Sequence, residues 1–459
     1  MTAAQAGVQA SLQSAWHSVL PTELRSVTYG AVREAPAPAV RVAVALSGGN
    51  DSMALLDAVA SAAARHANIS LSAVHVHHGL SRYADEWVAF CERECTDRNI
   101  AIDVRRVHVE RSGGIGIEAA ARNARYAIFR SLDADALLLA HHRDDQAETV
   151  LLQLLSGAGP HGLAAMSALR AGRPALMRPF LMLERRTLEA YNRARGVRSI
   201  VDESNADATF ARNFLRTRIA PILAEQFPAY ASTLERAARH QADAAELLDD
   251  LARLDAAQDG DVHELAQATL ARLPPARARN LLRWFLRQQG LRAPSTVRLE
   301  AMLEQLIDAA PDTSIRLQHD GAEIGRHRGR VKVHAPTSPS FEQHWDGQRE
   351  LQLPGGTLSF VAGIGEGLAA RAVADAGVVV RSRLGGESIR LRADGPRQEL
   401  KKLFQAAGVP AWEREARPFL WHRAKLVAVP GIGIAHDYRS GPQDAGWRME
   451  WRRRDGGES

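Results

Sequence analysis

The sequence predicts an α/β protein whose parallel, twisted sheet has helices on both faces, followed by a mostly helical middle domain and a small α+β C-terminal domain. From Arg41 onward, short apolar strands alternate with amphipathic helices, which is typical of a parallel sheet. Helical periodicity dominates Ala229–Ala310, and strand patterns return at Gly377–Arg383 and Phe419–Val429. We therefore expect an N-terminal extension (1–40), a catalytic domain (41–225), a middle domain (226–345) and a C-terminal domain (346–459).

The period of the apolar positions predicts each element in turn. The strands of the sheet are predicted at Val42–Leu46, Leu71–His77, Ile102–Val109 and Ala136–Ala140. The helices between them are predicted at Met53–Arg65, Tyr83–Arg98 and Ile117–Ser131. Ahead of the sheet, we expect a helix through Val8–Leu20 and a Pro/Ala linker at Ala35–Val40. In the middle domain, Ser314–His334 is predicted to form a hairpin around Asp320-Gly321.

Composition excludes several classes of protein. The 459 residues are 46% hydrophobic and 24% charged, which is ordinary for a globular protein and excludes disordered and collagen-like chains. No apolar run reaches the roughly 18 residues of a membrane span. The first cationic side chain is Arg25, so we expect neither a signal peptide nor membrane association. Two cysteines cannot form a disulfide framework, which favours a reducing, cytoplasmic location.

The basic residues are unevenly distributed. The first lysine is Lys332, which excludes both a Walker A loop and a nucleotide-carrying lysine from the first two thirds of the chain. Residues 381–459 hold 16 Lys/Arg against 10 Asp/Glu, whereas the net charge of the whole chain is only +5. A basic C-terminal domain is typical of a protein that binds the phosphate backbone of a nucleic acid. The alternative is a charged surface that only contacts solvent.

The strongest local signal follows the first predicted strand. Ser47-Gly48-Gly49-Asn50-Asp51-Ser52 joins this strand to an apolar helix. The two glycines let the backbone approach a ligand, and the free N–H groups with the helix dipole attract a phosphate, so the loop needs no lysine. Because a carboxylate repels a polyphosphate unless a cation lies between them, we interpret Asp51 as a Mg²⁺ contact. An ordinary N-capping turn is the alternative.

A second polar segment follows the strand Ala136–Ala140. It reads His141-His142-Arg143-Asp144-Asp145-Gln146-Ala147-Glu148-Thr149, and a helix that begins near Asp144 places Asp145 and Glu148 on a shared face. We expect these carboxylates at the same end of the sheet as the glycine loop, because both segments follow parallel strands. They could hold a metal ion or an ammonium group, or take a proton from an attacking amine. The alternative is that they only complement the helix N-terminus.

Together, these motifs resemble a known enzyme family. The hexapeptide Ser47–Ser52 is similar to the loop of the N-type ATP pyrophosphatase (PP-loop) superfamily. The segment His141–Thr149 resembles the tRNA(Ile)-lysidine synthetase family, with one spacer residue fewer than that family's motif. Further matches, in the family's order, are His75–Leu80, Glu118–Tyr126, Arg178–Phe180, Asp202–Asn205 and Arg212–Arg216. The C-terminal half matches more loosely, and the family's usual Gly-Asp there reads Gly386-Glu387.

The resemblance implies a Rossmann-like PP-loop fold and an AMP-forming carbon–nitrogen ligase that uses ATP and Mg²⁺. Its substrate would be cytidine at the first anticodon position of tRNA(Ile) with a CAU anticodon. O2 of that base would be adenylated, and free L-lysine would then displace AMP at C2 to give lysidine. Diphosphate is the other product. The resemblance implies neither a membrane nor an obligate protein partner.

The resemblance also assigns roles to residues. The expected catalytic residues are Asp51, Asp145 as the general base, and Arg122. The expected ATP contacts are Ser47, Gly48, Gly49, Asn50, Asp51, Ser52 and His75, with Asp51 also the metal ligand. The expected substrate contacts are Glu118, Arg125, His141, Asp144, Glu148, Arg212 and Arg216. The spacing of these arginines suits phosphate binding, although plain ion pairs are the alternative.

Two other functions stay open on the sequence alone. A tRNA thiolase of the same superfamily would usually need a cysteine pair, and we expect Cys91 and Cys95 on a helix away from the loops, which disfavours that function. A non-catalytic RNA-binding module would explain the basic C-terminal domain but not the phosphate loop.

Overall fold

The computed structural model describes residues 1–19, 39–65, 68–109, 117–201, 209–257, 263–309, 315–336, 339–374 and 377–453. The chain forms two compact units, Met1–Glu246 and Leu247–Ser459. Most of the predicted linker Ala35–Val40 and the segment Asp202–Asn205 lie outside the described residues. Within the described part, no helix is long and apolar enough to cross a membrane.

The first unit is built on a six-stranded sheet. Its strands are β1 Val40–Ala45, β2 Ile69–His77, β3 Ala101–Arg106, β4 Ala136–Leu138, β5 Leu169–Arg170 and β6 Ala175–Met177. They lie in the order β3-β2-β1-β4-β6-β5. Every neighbouring pair is parallel except β5–β6, which is antiparallel. The parallel sheet predicted from the strand–helix alternation is therefore confirmed.

The helices of residues 1–256 include those that cover both faces of this sheet, and the last of them extends past the first unit. They are α1 Ala3–Val19, α2 Asn50–Ala63, α3 Ala84–Thr96, α4 Ile117–Arg130, α5 Arg143–Leu155, α6 Pro160–Leu163, α7 Arg185–Arg195, α8 Ala211–Phe214, α9 Ala220–Gln226 and α10 Tyr230–Ala256, with a π-helical turn at Leu215–Ile219. Successive strand residues face opposite sides. Val42 and Val44 are therefore buried against α1, α2, α3 and α7, whereas Ala43 is buried with Phe129 of α4.

The middle of the chain is mainly helical. Its elements are α11 Gln267–Arg272, α12 Pro275–Gln288, α13 Thr296–Asp308, β7 Glu264–Ala266, β8 Ile315–His319, β9 Ala322–His327 and β10 Arg330–His334. The strands form an antiparallel sheet in the order β7-β10-β9-β8, and helix residues such as Leu281, Phe285 and Leu299 share one core with them. Asp320 and Gly321 both have positive φ angles, 49° and 78°, as a two-residue hairpin turn requires. The predicted hairpin is thus confirmed.

The C-terminal part is an α+β structure, as predicted. Its strands are β11 Glu342–Trp345, β12 Glu350–Leu353, β13 Gly356–Ile364, β14 Leu368–Ala369, β15 Val378–Arg381, β16 Ser388–Ile389, β17 Gln398–Glu399, β18 Phe419–His422, β19 Lys425–Val429, β20 Gly433–Ile434 and β21 Ala445–Arg453. The helices are α14 Leu400–Ala406 and α15 Ala411–Ala416, with 3₁₀ turns at Ala370–Ala372 and His436–Tyr438. The sheets have the orders β11-β15-β18-β19-β20 and β12-β13-β21-β14, and β16 pairs with β17.

Glu387, where the resemblance led us to expect an aspartate, closes a turn in this part. Its Oε1 accepts hydrogen bonds from the backbone N–H groups of Leu384, at 2.6 Å, and Gly385, at 2.8 Å. The longer side chain can therefore fold back onto its own loop, which makes Gly386-Glu387 compatible with a local turn.

Candidate active site

The candidate site lies where the strand order of the sheet reverses. Strands β1 and β4 are parallel neighbours, with β2 and β3 on one side and β6 and β5 on the other. Loops that follow strands on the two sides of such a point diverge and leave a crevice at the carboxyl ends. The glycine loop, residues 47–52, follows β1, and the segment 141–149 follows β4. The topology therefore brings the two polar motifs together.

At one position, Gly48, the glycine loop has a backbone conformation that only glycine adopts without strain. Gly48 has φ = +84°, and a Cβ placed on it would lie 2.7 Å from Cδ1 of Ile200. The hydroxyl groups of Ser47 and Ser52 are 3.0 Å apart, and that of Ser52 also donates to the carbonyl oxygen of Gly49 at 3.0 Å. The loop then enters α2, whose first turn contains Asp51. Free N–H groups at this helix start are suited to a phosphate.

Three residues from elsewhere in the fold hold this loop. The N–H of Ile200 donates to the carbonyl oxygen of Gly48 at 2.9 Å. Nδ2 of Asn192, on α7, donates to the backbone oxygen of Asn50 at 2.8 Å and to its Oδ1 at 2.9 Å. Nδ1 of His75, at the end of β2, is 2.9 Å from the carbonyl oxygen of Leu46. His75 therefore holds in place the residue that precedes the loop.

Asn192 was not among the residues predicted from the sequence. Its side chain is buried, and it lies on an Arg-rich amphipathic helix that has no motif of its own. Only the packing of α7 on α2 brings it to the loop, so no local pattern in the sequence could have identified it.

Asp51 faces a histidine that also contacts other carboxylates. Nε2 of His142 is 3.5 Å from Oδ2 of Asp51 and 3.5 Å from Oδ2 of Asp145, while its Nδ1 is 3.5 Å from Oδ2 of Asp144. Burial of the ring opposes the charged form, but the contacts with Asp144, Asp51 and Asp145 dominate and raise the pKa of His142 to about 10. The same histidine lowers the pKa of Asp51 against the opposing effect of burial. These groups form an acidic cluster with one cation at its centre.

The two adjacent histidines have opposite environments. Burial lowers the pKa of His141, and Nδ1 of this ring has no hydrogen-bond partner among the described residues. His142 instead occupies the N-cap position of α5, which begins one residue earlier than the predicted start at Asp144. The expected contact of His141 with substrate stays a prediction, and His142, which was not among the predicted site residues, is the histidine that contacts Asp51. The alternation of side chains at a strand end separates the two rings.

The carboxylates of α5 are bound by arginines from the π-helical turn and from α8. Arg216 donates from Nε to Oε1 of Glu148 at 2.6 Å and from Nη2 to Oε2 of Glu148 at 2.8 Å. Nη2 also donates to Oδ1 of Asp145 at 3.0 Å. Arg212 donates to Oγ1 of Thr149 at 2.6 Å, and its Nε is 3.6 Å from Glu148. Burial raises the pKa of Glu148, although Arg216 opposes this effect. The expected phosphate clamp of Arg212 and Arg216 stays a prediction.

Asp144 is bound on the other side of the cluster. Its Oδ2 accepts a hydrogen bond from the backbone N–H of Arg185, at the start of α7, at 3.0 Å. Although burial opposes it, the contact with His142 and this backbone hydrogen bond lower the pKa of Asp144 to about 2. Asp144 is therefore ionised at neutral pH and forms the wall of the cluster next to α7.

Helix α4 supplies the other predicted basic residues. The guanidinium carbon of Arg122 is 5.1 Å from the ring centroid of Tyr126. Arg125 is partly buried, and its positive charge contributes to lowering the pKa values of His78 and His141, after the larger effect of burial. The side chain of Glu118 lies outside the described residues, so its expected contact with substrate stays a prediction.

One expectation about the cysteines is wrong. Cys91 and Cys95 do lie on a helix, α3, but Cys91 is not away from the loops, because its Sγ would be 3.2 Å from a Cβ placed on Gly48. Both thiols are free and fully buried, and burial raises the pKa of Cys91 to about 12 and that of Cys95 to about 11. Thiols in this state are poor nucleophiles and are unsuited to carrying sulfur. Cys91 instead packs against the glycine loop.

The acidic cluster suits a magnesium ion that is shared with a substrate. In the part of the chain that the structure describes, no group of three or more His, Cys, Asp or Glu side chains is arranged to hold a metal ion alone. Mg²⁺ in nucleotide enzymes usually takes one or two carboxylates and completes its shell with phosphates and water. Asp51, whose side chain is 32% exposed beside the loop, fits that pattern.

Family models match the chain in the order of its structural parts. A model described as the PP-loop domain matches residues 25–223. One described as the TilS substrate binding domain matches 265–331, and one described as the TilS substrate C-terminal domain matches 378–451.

The chain is also similar to curated tRNA(Ile)-lysidine synthases over most of its length. The protein of this name from Nitrosomonas europaea is 38% identical, and the match covers 95% of this chain and 96% of the relative. That from Ralstonia nicotianae is 42% identical over 89% of this chain and 92% of the relative. That from an Azoarcus species is 41% identical, with 90% and 92% covered.

Proposed function

This chain belongs to the tRNA(Ile)-lysidine synthase family, and on that premise we propose how its residues form lysidine in tRNA(Ile) at the expense of ATP. The observation that carries the proposal is the meeting of Asp51, His142 and Asp145 at the crevice between β1 and β4. The glycine loop lies on one side of this crevice, and the carboxylates of α5 lie on the other. One site thus offers a phosphate cradle next to a proton acceptor.

ATP is bound by the glycine loop in this proposal. The backbone N–H groups of the loop and the hydroxyls of Ser47 and Ser52 contact the phosphates, and Asn50 and His75 keep the loop in place. Mg²⁺ would be held by Asp51 together with phosphate oxygens, and it would neutralise charge on the departing diphosphate. In the absence of nucleotide, the imidazolium of His142 supplies part of this positive charge beside Asp51.

The first chemical step activates the base. Cytidine at the first anticodon position leaves the stack and presents O2 to the α phosphorus of ATP. The O2–P bond forms in line as the bond to the β-phosphate oxygen breaks, so diphosphate leaves with that electron pair. Arg122, which the sequence predicts to be catalytic, lies over the ring of Tyr126, and it is proposed to position the RNA strand next to the reacting base without contacting the α phosphate. The product is an O2-adenylated cytidine.

The second step joins lysine to the base. One amino group of free L-lysine, in its neutral form, attacks C2, and AMP leaves with the electron pair of the C2–O2 bond. Asp145 accepts the proton that the amine loses, since its carboxylate already lies beside His142 and Arg216 at the mouth of the crevice. The charges of His142 and Arg216 lie next to Asp145, so the carboxylate that takes the proton is not an isolated charge.

Lysine needs acidic groups to bind its ammonium group and a basic group to bind its carboxylate, and tRNA needs basic groups to bind its phosphates. Asp144, Glu148 and Glu118 are proposed to bind the ammonium group of lysine, and Arg125 is proposed to bind its carboxylate. His141, Arg212 and Arg216 are proposed to contact the substrate on the α5 side. The basic C-terminal part would bind tRNA phosphates and make the affinity sensitive to salt. We place the reaction in the cytoplasm, without a membrane or an obligate protein partner.

The test is an incorporation assay with matched variants. Purified protein is incubated with a tRNA(Ile) transcript, ATP and labelled lysine, and both the label in tRNA and the AMP released are measured. We expect equal amounts of the two products from the wild type and from Asp103→Asn, a control at an exposed carboxylate on β3. We expect neither product from Asp51→Asn. Absence of label with the wild-type protein would refute lysidine formation, and full activity of Asp51→Asn would refute the role of the loop carboxylate.

A further inference from the structure

Three arginines surround the ring of Tyr126, on the opposite side of β4 from the glycine loop. The guanidinium carbons of Arg122 and Arg170 are 5.1 and 5.6 Å from the ring centroid. Nη2 of Arg178 donates a hydrogen bond to the Tyr126 hydroxyl at 3.4 Å. The four residues come from α4, β5 and the turn after β6, so the edge of the sheet assembles them. We call this group the Tyr126 subsite.

Arg178 is a buried cation with no carboxylate partner among the described residues. The residue is 6% exposed, its Nη1 donates to the carbonyl oxygen of Ser167 at 2.7 Å, and its Nε has no hydrogen-bond partner in the described ranges. Burial lowers the pKa of its guanidinium, and the nearby Arg170 and Arg122 lower it further, against the effect of Tyr126. A buried charge normally has a counter-charge. The guanidinium of Arg178 is therefore suited to an anion.

The exposed arginines of the subsite, Arg122 and Arg170, likewise have no carboxylate partner among the described residues. Neither Arg122 nor Arg170 forms an ion pair with a described carboxylate, and each is placed over the ring of Tyr126 instead. Many other arginines in the described part of this unit do have acidic partners, as Arg41, Arg98 and Arg195 illustrate. The concentration of unpaired guanidinium groups around one phenol ring is therefore specific to this place, and it favours a phosphate ligand.

We propose that Tyr126, Arg122, Arg170 and Arg178 bind a backbone phosphodiester of the RNA substrate, beside the base that enters the crevice. The proposal rests on the proposed function for the identity of the RNA. The subsite anchors the strand next to the reacting nucleotide, so that the base is held at the end of β4 while its backbone stays on the β6 side. The ring of Tyr126 keeps the arginines spread for this contact.

The position of the subsite favours RNA over the phosphates of ATP. Adjacent strands are about 4.8 Å apart, so β6 lies about 10 Å from β1, which the glycine loop follows. The segment that carries Asp145 follows β4, the strand that lies between β1 and β6. Arg122 and Arg170 are exposed to solvent, which suits a polymer that continues beyond the site. The ATP phosphates already have a cradle in the loop.

Arg170→Gln tests the proposal, because this exposed residue can be changed without disturbing a core. Its matched control is Arg130→Gln, which removes an equal charge from the exposed far end of α4. The dissociation constant of a tRNA(Ile) transcript is measured by filter binding at several salt concentrations, and that of ATP by calorimetry. We expect Arg170→Gln to bind tRNA about five times more weakly at low salt, with the slope of log K against log salt smaller by about 0.7–0.9, as for one lost phosphate contact.

The ATP affinity of Arg170→Gln should equal that of the wild type. Unchanged tRNA binding, or weakening no greater than in Arg130→Gln, would overturn the proposal. Weaker ATP binding with normal tRNA binding would overturn it in favour of a nucleotide-phosphate subsite. Lysine incorporation by the wild-type protein is measured in parallel. Its absence would refute the proposed function, whereas an active wild type with an Arg170→Gln variant that binds tRNA normally would refute only the Tyr126 subsite.

Discussion

Nε2 of His142 lies 3.5 Å from Oδ2 of Asp51, so the residue that caps one helix directly contacts the first acidic residue of another. This contact joins the two motifs that the sequence separates by about ninety residues. It exists because β1 and β4 are neighbours at the reversal of the strand order. The charge of His142 should therefore influence both the stability of the apoprotein and the state of Asp51.

The stability contributed by His142 should depend on pH. Its pKa in the folded protein is raised from the ordinary 6.5 to about 10, so the folded state holds the proton more tightly than the unfolded chain. This contribution is fully present below pH 6.5 and is lost as the pH rises through 10. Melting temperatures of the wild type and His142→Gln, measured from pH 6 to 10 without nucleotide, should differ most at pH 6 and converge toward pH 10. A constant difference would contradict the raised pKa.

Gly48 and Gly49 should respond differently to the same substitution. Gly48→Ala places a Cβ 2.7 Å from Cδ1 of Ile200 at φ = +84°, and we expect a loss of about 2 kcal/mol in unfolding free energy. Gly49→Ala meets only Oγ of Ser47, at 3.5 Å, with an ordinary backbone, and should be near neutral. Denaturant titrations of both variants provide the measurement. Equal destabilisation would show that the φ angle and the contact with Ile200 do not determine the loop.

Asn192 should affect ATP binding without touching ATP. Asn192→Ala removes two hydrogen bonds to Asn50, each worth about 1 kcal/mol, so we expect the KM for ATP to rise by up to about thirtyfold while tRNA affinity is unchanged. The control is Tyr191→Phe on the same helix, which loses a hydrogen bond to Asp57 but no contact with the loop. Steady-state kinetics should show a normal KM for the control. An equal rise in both variants would attribute the effect to the packing of α7 alone.

Arg216 and Glu148 should be coupled in stability. Arg216→Met leaves the buried carboxylate of Glu148 without its bidentate partner, and we expect a loss of about 3–5 kcal/mol. Adding Glu148→Gln removes the unpaired charge and should restore most of that loss. A double-mutant cycle by chemical denaturation measures the coupling. Simple additivity of the two single changes would contradict a direct interaction.

The local parts of the structure were predictable, and the long-range contacts were not. The glycine loop and the Asp320-Gly321 turn are short segments whose residue types determine their backbone, so the sequence identifies them directly. Which of the two adjacent histidines contacts Asp51 depends on which ring faces β1, and the strand order sets that. Asn192 reaches the loop through helix packing, and Cys91 lies beneath Gly48 for the same reason. None of these contacts leaves a periodic signal in the sequence.

The most direct test separates the two halves of the reaction. Diphosphate release from ATP is measured with a tRNA(Ile) transcript present and lysine absent, for the wild type, Asp51→Asn and Asp145→Asn. If the glycine loop and Asp51 carry the cleavage of ATP while Asp145 serves the later attack of lysine, then the wild type and Asp145→Asn release diphosphate and Asp51→Asn does not. Diphosphate release by Asp51→Asn at the wild-type rate would contradict the assignment of ATP cleavage to the glycine loop and Asp51.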